Sequence, residues 1–289
     1  MSLTDAFKSR IKLLLEIVGV YFQSAAVEQV VLRREIAALH DLMRASTPDN
    51  PALAGYKVYS QTDEDGIIAE IFRRIGAGAR TFVEIGCGNG TENNTHFLLL
   101  DGWRGTWIDG SKMNVDLIAR WIPLETSRLH VRRVMVTRDN AVELVRAAMD
   151  RLRARELDLL SLDIDGNDLH VLQRVLPAAR PRVVVAEYNG KFPPPLEVSI
   201  AYDESHTWAM DDYFGASLQA LVEALTEYKL VACNLSGTNA FFVRNDQAEA
   251  FASYRPEALY QPARPHLIRV RSGERPTLRF LRNVVMARE

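Results

Sequence analysis

A short glycine-rich stretch constrains the fold of this 289-residue chain more than any other feature. Residues 81–90 read TFVEIGCGNG, an apolar run followed at once by three glycines at alternate positions. The apolar run predicts a buried strand, and the glycines predict a sharp turn whose backbone can approach a ligand without a Cβ in the way. Residues 91–100 then predict a helix, with Thr91 or Asn93 as its N-cap. The stretch is typical of the start of an α/β domain.

An acid stands at the expected distance beyond this turn. A second predicted strand, residues 105–108, ends in Asp109, which lies 19 residues after Gly90. At that spacing a nucleotide-binding α/β unit places an acid on ribose hydroxyls. Glu84 comes just before the glycines, and a carboxylate there suits a ligand with a cationic end and a ribose better than it suits a pyrophosphate.

The segment resembles motif I of the class I S-adenosylmethionine-dependent methyltransferases. The resemblance implies that Glu84 and the glycines Gly86, Gly88 and Gly90 bind S-adenosylmethionine as cofactor, and that Asp109 binds its ribose. It also implies a Rossmann-like class I methyltransferase fold, α/β, with a mostly parallel seven-stranded sheet and helices on both faces. An ordinary tight turn with solvated acids remains the alternative.

The chain beyond residue 105 alternates predicted strands and helices. Strands are predicted at 129–136, 157–165 and 182–187, helices at 139–153, 168–176 and 218–228, and a closing pair of strands at 230–234 and 241–244. Such alternation indicates a mostly parallel sheet with helices on both faces. Because ligands of such sheets bind outside the carboxyl ends of the strands, residues that follow the strands are the candidate site residues.

Carboxylates follow two of these predicted strands. Asp163 and Asp165 leave the fourth strand on one face, and Glu187 and Asn189 leave the fifth on one face, because side chains alternate along a strand. Carboxylates this close are costly to desolvate unless they are protonated, hydrogen-bonded or bridged by a cation. We expect Asp165 and Glu187, with Asn189 or Asp163, to bind a divalent cation such as Mg²⁺ that orients two vicinal hydroxyls.

The alternative is that Asp163 accepts hydrogen bonds from loop amides, while Glu187 and Asn189 shape the cofactor pocket. Asp163 is therefore a candidate cofactor-binding residue as well. In the first interpretation Asp165 acts in catalysis through the cation.

A long segment, residues 190–214, separates the fifth predicted strand from the next helix. A loop of this length in a compact domain is usually functional, and its aromatic residues and acids suit a sugar ring. His206 is the side chain there whose unperturbed pKa fits a general base near neutrality. Asp168 is the competing catalytic candidate, and a merely solvated or capping histidine is the alternative for His206.

Four further segments resemble FkbM-like methyltransferases, namely residues 59–66, 162–168, 212–218 and 234–243. With motif I the resemblance covers residues 56–246, and it implies that the polar segment around Gln61 covers the cofactor. Equally, Ser60 or Thr62 would only cap the helix that follows. The acid-tipped strands also resemble metal-dependent catechol and macrolide-sugar O-methyltransferases, although Tyr188 stands where those proteins have a second acid or an asparagine.

From these features we expect an S-adenosylmethionine-dependent O-methyltransferase that acts on a hydroxyl of a sugar or glycan precursor with help from a divalent cation. One alternative is a natural-product O-methyltransferase with another hydroxylated small molecule as acceptor, favoured if the insertion lines a narrow apolar slot. The other is a non-catalytic S-adenosylmethionine-binding module recruited through N-terminal helices.

Composition limits the partners. Hydrophobic content of 47% and charged content of 25% are those of an ordinary soluble protein. A net charge of −2 gives no reason to expect nucleic acid. The two cysteines, Cys87 and Cys233, have no metal-ligand spacing, so we expect a reducing compartment and a cytoplasmic location.

The chain divides into three predicted parts. Residues 1–50 form a helical arm, residues 51–246 the methyltransferase domain with insertion 190–214, and residues 247–289 an irregular C-terminal extension. The arm is interrupted by Glu16 and too short in its apolar run to span a bilayer. We expect it to pack on the core or to form a homo-oligomer, with peripheral membrane contact as the lesser alternative. Its apolar faces are Ile11, Leu14, Leu15, Val18 and Phe22, then Val27, Val30, Val31, Ile36 and Leu39.

Overall fold

Seven strands form one sheet in the computed structural model, which describes residues 3–271 and 273–287, with side chains from residue 25 onward. The strands are β1 (Thr81–Ile85), β2 (Arg104–Asp109), β3 (Leu129–Arg133), β4 (Leu159–Leu162), β5 (Val183–Glu187), β6 (Tyr228–Cys233) and β7 (Asn239–Arg244). Their order is β3-β2-β1-β4-β5-β7-β6. Strands β1 to β5 are parallel, and β7 runs antiparallel to both of its neighbours.

Helices cover both faces of the sheet. They are α1 (Leu3–Ser46), α2 (Glu64–Ile75), α3 (His96–Leu100), α4 (Lys112–Ala119), α5 (Ala141–Leu152), α6 (Asp168–Ala179), α7 (Leu218–Ala224), α8 (Pro256–Leu259) and α9 (Arg279–Met286). Phe82 and Trp107 belong to one apolar layer with α2 and α3, and Val83 and Ile108 to the other with α5, α6 and α7. Consecutive residues of β1 and β2 thus face opposite layers. The expected Rossmann-like fold with a mostly parallel sheet is confirmed.

The strand order creates a crevice at one edge of the sheet. The connections from β1 lead outward to β2 and β3, whereas those from β4 lead the other way to β5. The chains therefore diverge at the carboxyl ends of β1 and β4, where ligands of open α/β sheets bind. The Asp163 amide donates to the Ile85 carbonyl at 3.0 Å and holds the two strand ends together there.

The elements around the glycine turn differ from expectation. Helix α3 begins at His96, because the residues before it are hydrogen-bonded to Glu84 instead of continuing the helix, and neither Thr91 nor Asn93 is its N-cap. Helix α4, which the sequence did not predict, follows β2 directly. Helix α2 begins at Glu64 with Asp63 as its N-cap residue, so neither Ser60 nor Thr62 occupies that position.

The terminal segments pack on the domain in an unexpected way. Among the residues of α1 whose side chains are described, Leu32 and Met43 are buried, with Ile36 and Leu39 packed between them. The second predicted apolar run is divided, since Val27, Val30 and Val31 are 52–62% exposed and do not pack on the core. At 100° per residue they lie on the side of the helix away from Leu32. The predicted face at residues 11–22 lies outside the described side chains.

The C-terminal extension is more ordered than expected. It contains α8 and α9, and it places Leu267, Leu278 and Leu281 in the apolar core. Over the described residues, the structure contains no helix with both the length and the apolar content required to cross a membrane.

Candidate functional site

A cavity of about 410 Å³ opens at the carboxyl ends of β1, β2 and β4. Its volume falls in the range of roughly 300–1,000 Å³ that is usual for small-molecule sites. Predicted site residues that line it are Gln61, Gly86, Gly88, Asp109, Asp163, Asp165 and His206. Residues distant in sequence thus meet at the crevice that the strand order creates.

The three glycines of the turn have different functions. A Cβ on Gly86, whose φ is +86°, would lie 1.6 Å from the Asp163 carbonyl oxygen, so this glycine allows β1 and β4 to end side by side. A Cβ on Gly90 would lie 2.7 Å from the Trp107 ring. Gly88, with φ +56°, has open space where a Cβ would be and lines the cavity. Gly88 is therefore the glycine that leaves room for a ligand.

Asp109 is fixed at the cavity wall by three donors. The Gly88 amide donates to its Oδ2 at 2.8 Å, and the Ser111 amide and the Asn114 side chain donate to its Oδ1 at 2.8 and 3.2 Å. These bonds tie the acid at the end of β2 to the turn after β1. An oxygen of a carboxylate accepts more than one hydrogen bond, so Asp109 can still accept from ligand hydroxyls.

Glu84 lies behind the turn and is 3% exposed. Asn93 Nδ2, the Asn94 amide and Thr95 Oγ1 donate to its carboxylate at 2.7, 2.8 and 2.5 Å. Burial raises the pKa of Glu84 to about 7, and the hydrogen bonds oppose that shift. The structure therefore brings Glu84 to the loop that precedes α3, and the cavity wall is formed by other residues.

Three carboxylates converge beyond the end of β4. Oxygen atoms of Asp163, Asp165 and Glu187 all lie within 4.8 Å of one another. Burial, and after it the neighbouring carboxylates, raises the pKa of both Asp163 and Glu187 well above the usual range. Glu187 Oε2 is buried and has no hydrogen-bond partner among the described residues. Three hard oxygen ligands with one unpaired atom form an arrangement that fits Mg²⁺ or Ca²⁺.

Asn189 has a different environment from the one proposed for a ligand. Its Nδ2 donates to the carbonyls of Asp212 and Phe214 at 3.0 and 3.1 Å, and its Oδ1 accepts from the Lys191 amide at 3.2 Å. The amide thus joins the two ends of the insertion, and Asp163 takes the third position in the acidic cluster.

His206 and Asp168 occupy unlike positions. His206 lines the cavity, and its Nε2 is buried without a hydrogen-bond partner in the described part of the chain. Asp168 is completely buried and accepts from the amides of Ile164 and Gly166, both at 2.9 Å. Burial raises the pKa of Asp168 to about 6. Asp168 therefore holds the loop between β4 and α6, whereas His206 faces the space a ligand would fill.

Gln61 lies where the segment before α2 meets the cavity. That segment is held by Asp65, whose Oδ2 accepts from the amides of Val58, Tyr59 and Ser60 at 2.7–2.9 Å. Lys57 Nζ also donates to the Gln61 carbonyl at 2.8 Å.

Sequence reasoning missed the polar residues at the start of α4. Ser111 and Asn114 line the cavity, and the Ser111 hydroxyl accepts from the Asn114 amide at 3.3 Å as a helix N-cap. A serine placed directly after the strand that ends in Asp109 is the signal that predicts this cap. Met135 and Glu204 also line the cavity, but their positions depend on loops that no local pattern specifies.

A smaller cavity of about 180 Å³ lies within the insertion. Its walls include Phe192, Ile200, Tyr213 and Phe214 and are mostly apolar. The Tyr213 ring lies 6.1 Å from the ring of His206, which lines the larger cavity. The two cavities are therefore neighbours.

No family model and no curated protein matches the chain. Among solved structures it is similar to an O-methyltransferase from Bacillus cereus in complex with SAH, at 18% identity and TM-score 0.42, covering 76% of this chain and 97% of that one. It is also similar to the N-terminal domain of EvdMO1 with SAH bound (15% identity, TM-score 0.39, covering 73% and 94%). A TehB-like SAM-dependent methyltransferase from Corynebacterium glutamicum is similar at 13% identity and TM-score 0.35, covering 75% of this chain and 99% of that one. Values this low do not establish an activity, which has to be inferred from the cavity.

Proposed function

We propose that the chain is an FkbM-like, S-adenosylmethionine-dependent O-methyltransferase that acts on a hydroxyl of a sugar or glycan precursor. The observation that carries the proposal is one cavity bordered by the Gly88 backbone, the Asp109 carboxylate, Asp165 and His206. S-adenosylmethionine would supply an activated methyl group when bound. The protein's part is then mainly to position two reactants and remove one proton.

The acids of the cavity suit a cationic cofactor. Asp109 and Glu204 line it, apart from the carboxylates of the acidic cluster. A cleft lined by one sign of charge attracts ligands of the opposite sign, and S-adenosylmethionine carries a sulfonium and an ammonium. In this proposal Asp109 accepts hydrogen bonds from the ribose hydroxyls, and Gly88 lets the backbone approach the ligand. Glu84, Gly86 and Gly90 shape the turn, and Gln61 covers the ligand.

The remaining residues would serve the acceptor. His206 would take the proton from the hydroxyl, because it is the imidazole that lines the cavity and histidine is the side chain that most often acts as a general base. A divalent cation on Asp163, Asp165 and Glu187 would orient and acidify that hydroxyl. Asp168 acts as a positioning residue, since both of its oxygens accept from loop amides.

A substitution at Asp109 tests the cofactor site. We expect Asp109→Asn to weaken S-adenosylmethionine binding at least tenfold in titration calorimetry, because an amide NH₂ then faces the Gly88 or Ser111 N–H. The control is Asp116→Asn, an exposed acid paired with Lys112 on α4. Equal affinity in wild type and Asp109→Asn would exclude this crevice as the cofactor site.

Removal of divalent cations tests the acidic cluster. We expect EDTA to lower methyl transfer at least tenfold, Mg²⁺ or Ca²⁺ to restore it, and the double variant Asp165→Asn with Glu187→Gln to be insensitive to both treatments. Full activity in EDTA, or full activity of the double variant, would mean that no cation takes part. Cofactor affinity measured in the same samples serves as the control.

The apolar cavity in the insertion supports a second candidate acceptor. Its walls of Phe192, Ile200, Tyr213 and Phe214 suit a flat or apolar natural-product alcohol better than they suit a sugar. Methyl transfer from labelled cofactor to sugars with vicinal hydroxyls, compared with phenols and macrolide alcohols, separates the two candidates. Cofactor binding without transfer to any acceptor would favour a non-catalytic binding module.

A further inference from the structure

A further cavity lies apart from the candidate active site, between α1, the segment before α2 and the C-terminal extension. Its volume is about 290 Å³. Its walls are mainly apolar and include Ile36, Tyr56, Leu235, Leu267 and Val270. An apolar cavity of this size in a folded protein is a usual place for the hydrocarbon part of a ligand.

Three cationic side chains border this cavity, namely those of Arg33, Lys57 and Arg271. Within the described part of the chain, none of them forms an ion pair with a carboxylate; Arg33 donates to the Arg271 carbonyl at 3.5 Å, and Lys57 to that of Gln61. Asp63 is the acid in the wall. It is 8% exposed, and burial raises its pKa to about 7, so its charge does not balance three cations. The border therefore attracts an anion.

We propose that this cavity binds a single-chain amphipathic anion, with its alkyl chain against Ile36, Leu267 and Val270 and its phosphate or carboxylate headgroup among Arg33, Lys57 and Arg271. Apolar walls account for the chain, and the unpaired cations account for the headgroup. Guanidinium groups bind both kinds of oxyanion through paired N–H donors. The site is independent of the proposed methyl transfer.

Titration calorimetry of the full-length protein with decyl phosphate tests the site. We expect one equivalent to bind, and octyl phosphate, which is two methylenes shorter, to bind about fifteenfold more weakly, since each buried methylene changes affinity about fourfold. Decanoate should also bind, and the comparison of its affinity with that of decyl phosphate shows which of the two headgroups the site prefers. Inorganic phosphate and decyltrimethylammonium should bind at least a hundredfold more weakly than decyl phosphate.

Variants assign the binding to this cavity. Arg33→Gln combined with Arg271→Gln should weaken the binding of decyl phosphate at least tenfold. Val270→Trp should fill the space that the alkyl chain of the ligand would occupy. Arg73→Gln, which removes an exposed arginine paired with Glu70 on α2, should bind as the wild type does. Thermal melting checks that each variant is folded. If Val270→Trp is not folded, the comparison of the double arginine variant with Arg73→Gln decides, because Arg33 and Arg271 are both exposed.

No binding of either amphiphile, equal binding of the cationic amphiphile or of inorganic phosphate, or wild-type affinity in the double arginine variant would overturn the proposal.

Discussion

Among single residues, Gly166 determines where the His206 ring can lie. A Cβ at Gly166 would be 2.3 Å from His206 Cδ2, so the ring rests directly on the backbone of the loop after β4. The same loop carries Asp165 and is held by Asp168. His206 is therefore positioned by the element that also supplies the acidic cluster, which links the two parts of the proposed chemistry.

This contact gives a test of His206 that leaves the imidazole intact. We expect Gly166→Ala to displace the ring and lower kcat about a hundredfold, as His206→Asn should by removing the base. Steady-state kinetics with a responsive acceptor measure both effects. Cofactor affinity should stay within about twofold in both variants, and unchanged kcat in both would remove His206 from the mechanism.

The residue scale is also where sequence reasoning reached its limit. Spacing located acids at strand ends correctly, but it did not distinguish Asp109, which lines the cavity, from Glu84, which is turned inward to three donors. Both acids belong to strands, Glu84 to β1 and Asp109 to the end of β2, and the loops that fold against them make the difference. The conformation of those loops is set by hydrogen bonds between residues that no periodic pattern relates.

At the scale of elements, one side-chain amide next to the sheet joins the two ends of the insertion. Asn189, 2% exposed, follows β5 and donates to the carbonyls of Asp212 and Phe214 near the far end of the insertion. Asn167 Nδ2 adds a bond to the Asp203 carbonyl at 2.8 Å. The insertion therefore has fixed ends, and it carries exposed aromatic rings at Trp208 and Tyr213 between them.

Asn189→Asp separates a structural role for this amide from a role as cation ligand. A carboxylate cannot donate to the two carbonyls and would repel them, so we expect faster amide hydrogen exchange across residues 190–214 and a higher KM for the acceptor. The matched control is Asn245→Asp, whose amide donates to the Thr226 carbonyl outside the insertion. Tighter cation binding with unchanged exchange would instead identify Asn189 as a ligand.

Strands were easier to predict than the helices and loops between them. β1, β4 and β5 are short, largely apolar runs, and each was located from that signal. Helix α4 was missed because Val115 and Ile118 are its only buried residues, too few to give a clear period. The second predicted apolar run of α1 divides between packed residues, Ile36 and Leu39, and the exposed valines, because apolar residues in the sequence do not show which of them face the domain.

For the whole molecule, the exposed part of α1 is a candidate surface for self-association. Val27, Val30 and Val31 are exposed on the side of the helix away from the domain, while Leu32 and Met43 pack on it. Single exposed apolar residues are common, but three within one and a half turns form a patch. The proposal of a homo-oligomer through the N-terminal arm therefore depends on these residues.

Light scattering after size exclusion tests this proposal. We expect the wild type to form an oligomer and the triple glutamine variant at Val27, Val30 and Val31 to have a lower mass, because glutamine keeps the helix while removing apolar surface. Leu42→Gln, at another exposed position of α1, should keep the wild-type mass. A wild type that is monomeric at every concentration would contradict the proposal.

The arrangement of the whole sheet followed from the sequence, whereas the identity of the acceptor did not. Alternating strands and helices predicted a mostly parallel sheet with its ligands beyond the carboxyl ends of the strands, and the strand order of the structure places the crevice between β1 and β4. The acceptor depends on how residues 190–214 fold over that crevice. Their aromatic and acidic residues suit a sugar, whereas the apolar cavity among them suits a natural-product alcohol, so the sequence did not decide between the two acceptors.

Asp165 has a left-handed backbone conformation, with φ of +55°. This conformation is unfavourable for residues that have a Cβ, although asparagine and aspartate tolerate it better than most, and glycine adopts it freely. Glycine at this position would relax the chain, and a search for thermostable variants that ignored turnover would therefore favour it. Such a variant would lack the exposed carboxylate of the cluster, so heat resistance and methyl transfer would be expected to diverge at this position.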